Sequence, residues 1–126
     1  MKDIHIQIIE NYISAYNSFD ISAMLKDLDE EIVFENITND TTDLTLKGLD
    51  AFKNQAEQAA LFFTEREQKI TAFEAFELTT KVNINYNATL AQDLQSLKKG
   101  ANIKLKGQSI FYFNKENRII KIQDIS

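Results

Sequence analysis

Few residues in this chain have the types and spacing that chemistry needs. There is one histidine, His5, and no cysteine, which excludes thiolate nucleophiles, thiolate metal sites, and metal sites built on two or three imidazoles. His5 falls in the first turn of an N-terminal helix and reads as exposed rather than catalytic. No Gly-rich phosphate loop, Ser-His-Asp set or nucleophile elbow occurs, so no cofactor is expected. The acidic run Asp27, Asp29, Glu30 and Glu31 lacks the glycine and spacing of a calcium loop and reads as a solvated corner, so no metal is expected there either. What remains is carboxylates on strands. Asp124 shares a strand face with Ile120 and Ile122; if that face looks into an apolar interior, burial raises its pKa into the range useful for acid or base work. Against this stands its place near the C-terminal end, where fraying to solvent is the ordinary outcome. Glu74 is the second candidate, and Phe73 and Phe76 leave the phase of its strand open.

The elements that must hold these groups are legible as hydrophobic periods. Ile4, Ile8, Ile9, Tyr12, Ile13 and Tyr16 recur by threes and fours and predict a helix over 3–17. Asp20 is placed to cap a second, short helix from Ile21 to about Asp27, with Phe19 and Met24 as its hydrophobic staple. Ile32 to Thr38 and Leu44 to Lys47 read as a hairpin around an Asn39 to Asp43 turn. After Gly48, the apolar stripe Phe52, Ala56, Ala59, Ala60 and Phe63 predicts a third helix, whose small residues allow close approach to a sheet. Strands follow from Glu67 to Leu78 and from Val82 to Leu90, joined through Thr79, Thr80 and Lys81. In the second of them Val82, Ile84, Tyr86, Ala88 and Leu90 share one face. Residues 91–101 read as a loop before a final hairpin, Asn102 to Ser126, which has apolar residues on both faces and belongs in the middle of a sheet.

Composition sets the outer limits. A chain of 126 residues, 44% apolar and 26% charged, is expected to be one domain, 1–126. Its longest apolar run, Ala59 to Phe63, is far short of the ~18 residues of a membrane span, and the N-terminal stretch lacks the apolar core of a signal peptide, so a cytoplasmic location is expected. A net charge of −5 with no clustering of basic residues argues against nucleic acid as a partner.

The order α-α-β-β-α-β-β-β-β implies an α+β fold with a curved antiparallel sheet wrapped around a long helix. Here the wording of the chain adds to its periods. ENYISAYNSFDISAML, LKGLDAF and FYFNKENRIIKI resemble, in order, the opening helix and corner, the glycine before the third helix, and the closing hairpin of the nuclear-transport-factor-2-like superfamily, which includes SnoaL-like cyclases and ketosteroid isomerases. The resemblance implies a cone-shaped pocket lined by the first helix and the inner strand faces. Matched along those motifs, the isomerase's helix tyrosine corresponds to Tyr12, its base to Asn36 and its second oxyanion donor to Ser109. An amide cannot take a proton near neutral pH, so a ketosteroid-type shuttle through Asn36 is not expected.

Three functions follow as alternatives. The first is a binding protein for a small apolar or amphipathic ligand, with Tyr12, Phe34, Asn36, Tyr86, Ser109, Phe111 and Ile122 lining the cone. The second is a cofactor-independent isomerase, cyclase or dehydratase, which needs a carboxylate inside the cone, Asp124 or Glu74, with Tyr12 as donor. The third is a protein association domain with a cone closed by Phe34, Phe111 and Phe113. A homodimer is expected through the outer sheet face, where Val33, Ile110, Tyr112, Ile119 and Ile125 would otherwise meet water.

Overall fold

The computed structural model describes residues 2–126. Helix α1 (Lys2–Asn17) is followed by α2 (Ile21–Leu25), β1 (Leu28–Thr38), β2 (Thr41–Lys47), α3 (Leu49–Ala60), β3 (Phe63–Ala75), β4 (Thr79–Leu90), β5 (Asn102–Phe113) and β6 (Ile119–Ile125). The strands form one sheet in the order β2-β1-β6-β5-β4-β3. Every pairing is antiparallel except β1 with β6, which is parallel because the chain crosses the sheet between them. The sheet curves around α1, and the core between them holds Ile9, Ile13, Leu28, Ile32, Val82, Phe111, Phe113 and Ile122.

Two residues of α1 depart from the expected stripe. Ile4 is exposed, and His5 takes its place in the core, stacked on the Phe113 ring at 3.8 Å with Nε2 3.0 Å from Asn117 Oδ1. An imidazole offers a flat apolar face as well as a polar edge, so it can pack like an aromatic residue once one nitrogen has a partner. At the other end of α1, Asn17 bonds the Gln68 backbone twice, accepting from its N–H at 2.7 Å and donating to its carbonyl at 3.1 Å. This fixes the last turn of α1 against β3. Asp20 caps α2 through the Ala23 N–H. Phe19, placed by its spacing as a staple for Met24, has its ring over the Arg66 guanidinium.

Strand boundaries shift where turns are tighter than their composition implies. The β1–β2 turn is only Asn39-Asp40, both at positive φ, the two-residue geometry that suits a hairpin's twist. The β3–β4 turn falls at 76–78 instead of Thr79 to Lys81, and β3 starts at Phe63, which therefore leaves the α3 stripe. Residues 91–101 form the expected loop, closed by a Leu94–Leu97 bridge and by Gly100 at φ +89°. In β6, Phe113 pairs with Ile119 and Tyr112 with Lys121, so Ile120 is an extra, bulged residue. The bulge turns Ile119 into the core and leaves Ile120 exposed. Ile119 is therefore not on the outer face, and Ile120 does not share the face of Ile122 and Asp124.

Candidate active site

Three neighbouring strands put Asn36, Asp124 and Ser109 in one row, Asn36 beside Asp124 across β1–β6 and Asp124 beside Ser109 across β6–β5. The row faces the interior of the cone. The buried Ser109 hydroxyl donates to Asp124 Oδ1 at 2.6 Å. Burial pushes the Asp124 pKa up from 3.8 to about 6, although the Ser109 bond pulls the other way. Asp124 as a residue is half-buried and borders two cavities. Asn36 does not bond it. Its amide donates to Asp43 Oδ1 at 2.8 Å and to Thr38 Oγ1 at 3.3 Å, bracing the β1–β2 hairpin and holding the exposed Asp43 carboxyl below its usual range.

Asp124 stands where two cavities meet. One, of about 220 Å³, lies under α3 and β2 with a mostly apolar wall that includes Phe34, Leu44, Leu46, Phe52 and Tyr12. The other, of about 210 Å³, lies toward β4 and β5 and carries Tyr86, Ser109, Ile84 and Gly107. Tyr16, Asn36, Gln68 and Asp124 border both. Gly107 keeps the second wall thin, since a Cβ there would meet the Ile125 carbonyl oxygen at 2.8 Å.

Each cavity has a phenol near Asp124. Tyr12 is held edge-on to Phe111, with ring centroids 5.7 Å apart, and burial followed by the Asp124 charge raises its pKa well above the usual phenol value. On the other side the Tyr16 hydroxyl donates to the Tyr86 oxygen at 2.9 Å. Burial raises both of these pKa values as well, and the nearby Arg66 cation opposes the rise. Arg66 is buried, with its guanidinium 3.7 Å from the Tyr16 ring centroid and 4.4 Å from that of Phe19.

The remaining expected residues divide. Tyr12, Phe34, Asn36, Tyr86, Ser109 and Asp124 border the cavities. Phe111 and Ile122 lie fully buried in the core and support the site from beneath. Glu74 is exposed on β3 and borders neither cavity. Phe111 and Phe113 do not close the cone, because they pack against Tyr12 and His5 respectively while open space remains beside Phe34. Periodicity misses Gln68 and Arg66, since EREQ in β3 reads as an exposed, charged strand. No local signal marks them, because the clamp on Arg66 is assembled from Tyr16 and Phe19, distant in sequence. Among the described residues, no group of three or more His, Asp or Glu side chains is placed to hold a metal.

No protein-family model matches this sequence, and no curated protein sequence matches it. Solved structures do. A candidate polyketide cyclase from Xanthomonas campestris pv. campestris is 15% identical and superposes with a TM-score of 0.86 over 99% of this chain and 91% of its own. A candidate SnoaL-like polyketide cyclase from Shewanella denitrificans OS-217 is 20% identical, with a TM-score of 0.80 over 97% of this chain and 89% of its own. An NTF2-like protein of unknown function from Burkholderia pseudomallei is 15% identical, with a TM-score of 0.79 over 96% and 88%. The chain has the nuclear-transport-factor-2-like, SnoaL-like fold.

Proposed function

We propose that the cone binds a small, largely apolar carbonyl compound and that Asp124 moves a proton on it without a cofactor, the chemistry of an isomerase, cyclase or dehydratase. The observation that carries this reading is a carboxyl that borders both cavities and is held there by the Ser109 hydroxyl at 2.6 Å; burial raises its pKa toward the working range of a general base. In the first step the ionised Asp124 takes a proton from the carbon next to the ligand's carbonyl. The electron pair of that C–H bond moves into the carbonyl, giving an enolate whose oxygen accepts a hydrogen bond from a phenol. Asp124, now neutral, returns the proton to the same or another carbon. The apolar walls of Phe34, Leu44, Leu46 and Phe52 suit a ligand body that is mainly hydrocarbon. The comparison proteins described as candidate polyketide cyclases favour the same class of substrate.

The test is hydrogen exchange in D₂O. A panel of cyclic ketones is incubated with the protein, and deuterium at the α-carbon is followed by NMR. The expected result is enhanced exchange that rises with pH through about 6 and falls by about 10² to 10⁴ in Asp124→Asn. Tight ligand binding with no exchange above background would leave the binding function and remove the catalytic one.

The same reading includes a homodimer through the outer sheet face. Val33, Ile110, Tyr112 and Ile125 remain partly exposed there, around a polar cluster in which Gln123 bridges Tyr112 and Glu35, and Lys121 lies 3.5 Å from Glu35. Sedimentation is expected to give twice the chain mass of 14.5 kDa; a monomer at micromolar concentration would exclude it.

A further inference from the structure

Arg66 is an expensive residue to keep where it is. It is 5% exposed, and among the described residues no carboxylate pairs with it. Its neighbours Glu65 and Glu67 point to solvent. Nε donates to the Tyr16 carbonyl at 2.8 Å, but Nη2 is buried with no partner. A buried cation without a counter-charge is destabilising unless its donors are satisfied. The surroundings add to that cost: Phe19, which closes the aromatic clamp on Arg66, sits at φ +60°, a conformation that strains a bulky residue. Part of that cost is recovered, because Nε bonds a carbonyl in the last turn of α1 and the guanidinium stacks on two aromatic rings, while Nη2 remains without a partner.

The charge lies behind a hydrogen-bonded chain that ends in the cavity. Arg66 packs on the face of the Tyr16 ring, and Tyr16 gives its hydroxyl proton to Tyr86. The Tyr86 oxygen is thereby occupied as an acceptor, and its own proton is left to donate. Tyr86 borders the same cavity as Asp124 and Ser109. A donor polarised by a neighbouring donor and a nearby cation stabilises negative charge better than an isolated phenol does. We propose that Tyr86 holds the oxygen of the ligand on which negative charge develops, and that Arg66, clamped by Tyr16 and Phe19, is the positioning charge that makes it an anion donor. This deepens the function proposed above and rests on it for the identity of the charged oxygen. The ligand then lies with its oxygen toward Tyr86, its reacting carbon toward Asp124, and its apolar body under α3.

The probe is 4-nitrophenol, whose neutral and ionised forms differ in colour, with nitrobenzene as a neutral control of similar shape. Both are titrated into Asp124→Asn, which stands for the carboxyl after it has taken the proton. The expected result is that bound nitrophenol is ionised at a pH where the free probe is mostly neutral. Adding Tyr86→Phe is expected to lower nitrophenolate affinity about tenfold or more, and adding Arg66→Met to lower the ionised fraction of the bound probe. Arg66→Lys should restore part of it, and nitrobenzene binding should change less than about twofold in each variant. Should Arg66→Met not fold, Phe19→Gly relieves the strained corner while loosening the clamp, and it too should lower the ionised fraction. Failure of nitrophenol to bind, an ionised fraction indifferent to Tyr86 and Arg66, or equal loss of both probes would overturn the proposal. The two readings separate: Asp124-dependent exchange with an indifferent probe removes this inference alone, and a Tyr86-dependent probe without exchange removes only the catalytic function.

Discussion

The two cavities that meet at Asp124 are nearly equal in size, about 220 and 210 Å³, and share Tyr16, Asn36, Gln68 and Asp124, but they differ in the residues that each adds to these four. Under α3 the added residues are mostly aliphatic and aromatic, and the phenol among them, Tyr12, packs between Phe52 and Phe111. Toward β4 the cavity adds Tyr86, whose oxygen accepts from the Tyr16 hydroxyl, and Ser109, whose hydroxyl donates to the Asp124 carboxyl, and a buried cation stands behind the tyrosine pair. The difference teaches where each part of a ligand belongs. Apolar walls reward burial of hydrocarbon at ~25 cal/mol per Å² and are indifferent to orientation, whereas a preorganised donor rewards one oxygen in one place. Asp124 borders both because the β1–β6–β5 register puts it in the middle of the row.

The comparison is broken most severely by Asp124→Asn, which should also change stability. A pKa raised from 3.8 to about 6 means that the folded state holds the proton more tightly than the unfolded chain. The stability from that proton is fully present below about pH 4 and lost as pH rises through about 6. The asparagine variant has no such loss. It should therefore gain on the wild type as pH rises from about 4, reaching at most roughly 3 kcal/mol at pH 7, a figure that the half-buried position of Asp124 reduces. Thermal melts at both pH values test this; a variant less stable than wild type at pH 7 would mean that the Ser109 bond outweighs the cost of burial.

A smaller effect sharpens the contrast between the phenols. Tyr12→Phe should weaken binding of a ketone by about 0.5–1.5 kcal/mol if that ketone reaches the α3 side with its oxygen, and leave a hydrocarbon probe unchanged. If Tyr86 is the donor, Tyr12→Phe lies at the bottom of that range, and Tyr86→Phe carries the loss. Calorimetric titration with cyclohexanone and cyclohexane-sized probes distinguishes the two.

How much of this was legible in the sequence depends on whether the signal was local. The β4 alternation, Val82 to Leu90, is a clean period of two and is realised as such. The inward direction of Asp124 follows from its parity with Ile122, and it survives because the irregularity of β6 lies before both of them. That irregularity is itself invisible in RIIKI, where either isoleucine could be the bulged one; the choice is made by Phe113 and by the turn at 114–118. His5 was misplaced because a helix period with Ile4 and His5 adjacent favours the isoleucine on hydrophobicity alone, while stacking on Phe113 is a contact across more than a hundred residues. Arg66 was hidden for the same reason: its aromatic clamp is assembled from α1 and the corner that follows it. The pairing of β1 with β6 is likewise a property of the closed sheet, beyond any local window.

The most direct test is a titration of the Asp124 carboxyl carbon by ¹³C NMR, assigned by its disappearance in Asp124→Asn. A midpoint near 6 is the predicted result, since it requires a carboxyl buried between the two cavities and still able to exchange its proton. A midpoint at the ordinary aspartate value of 3.8 would mean that the carboxyl is solvated, and it would contradict the role of Asp124 as the base of the cone.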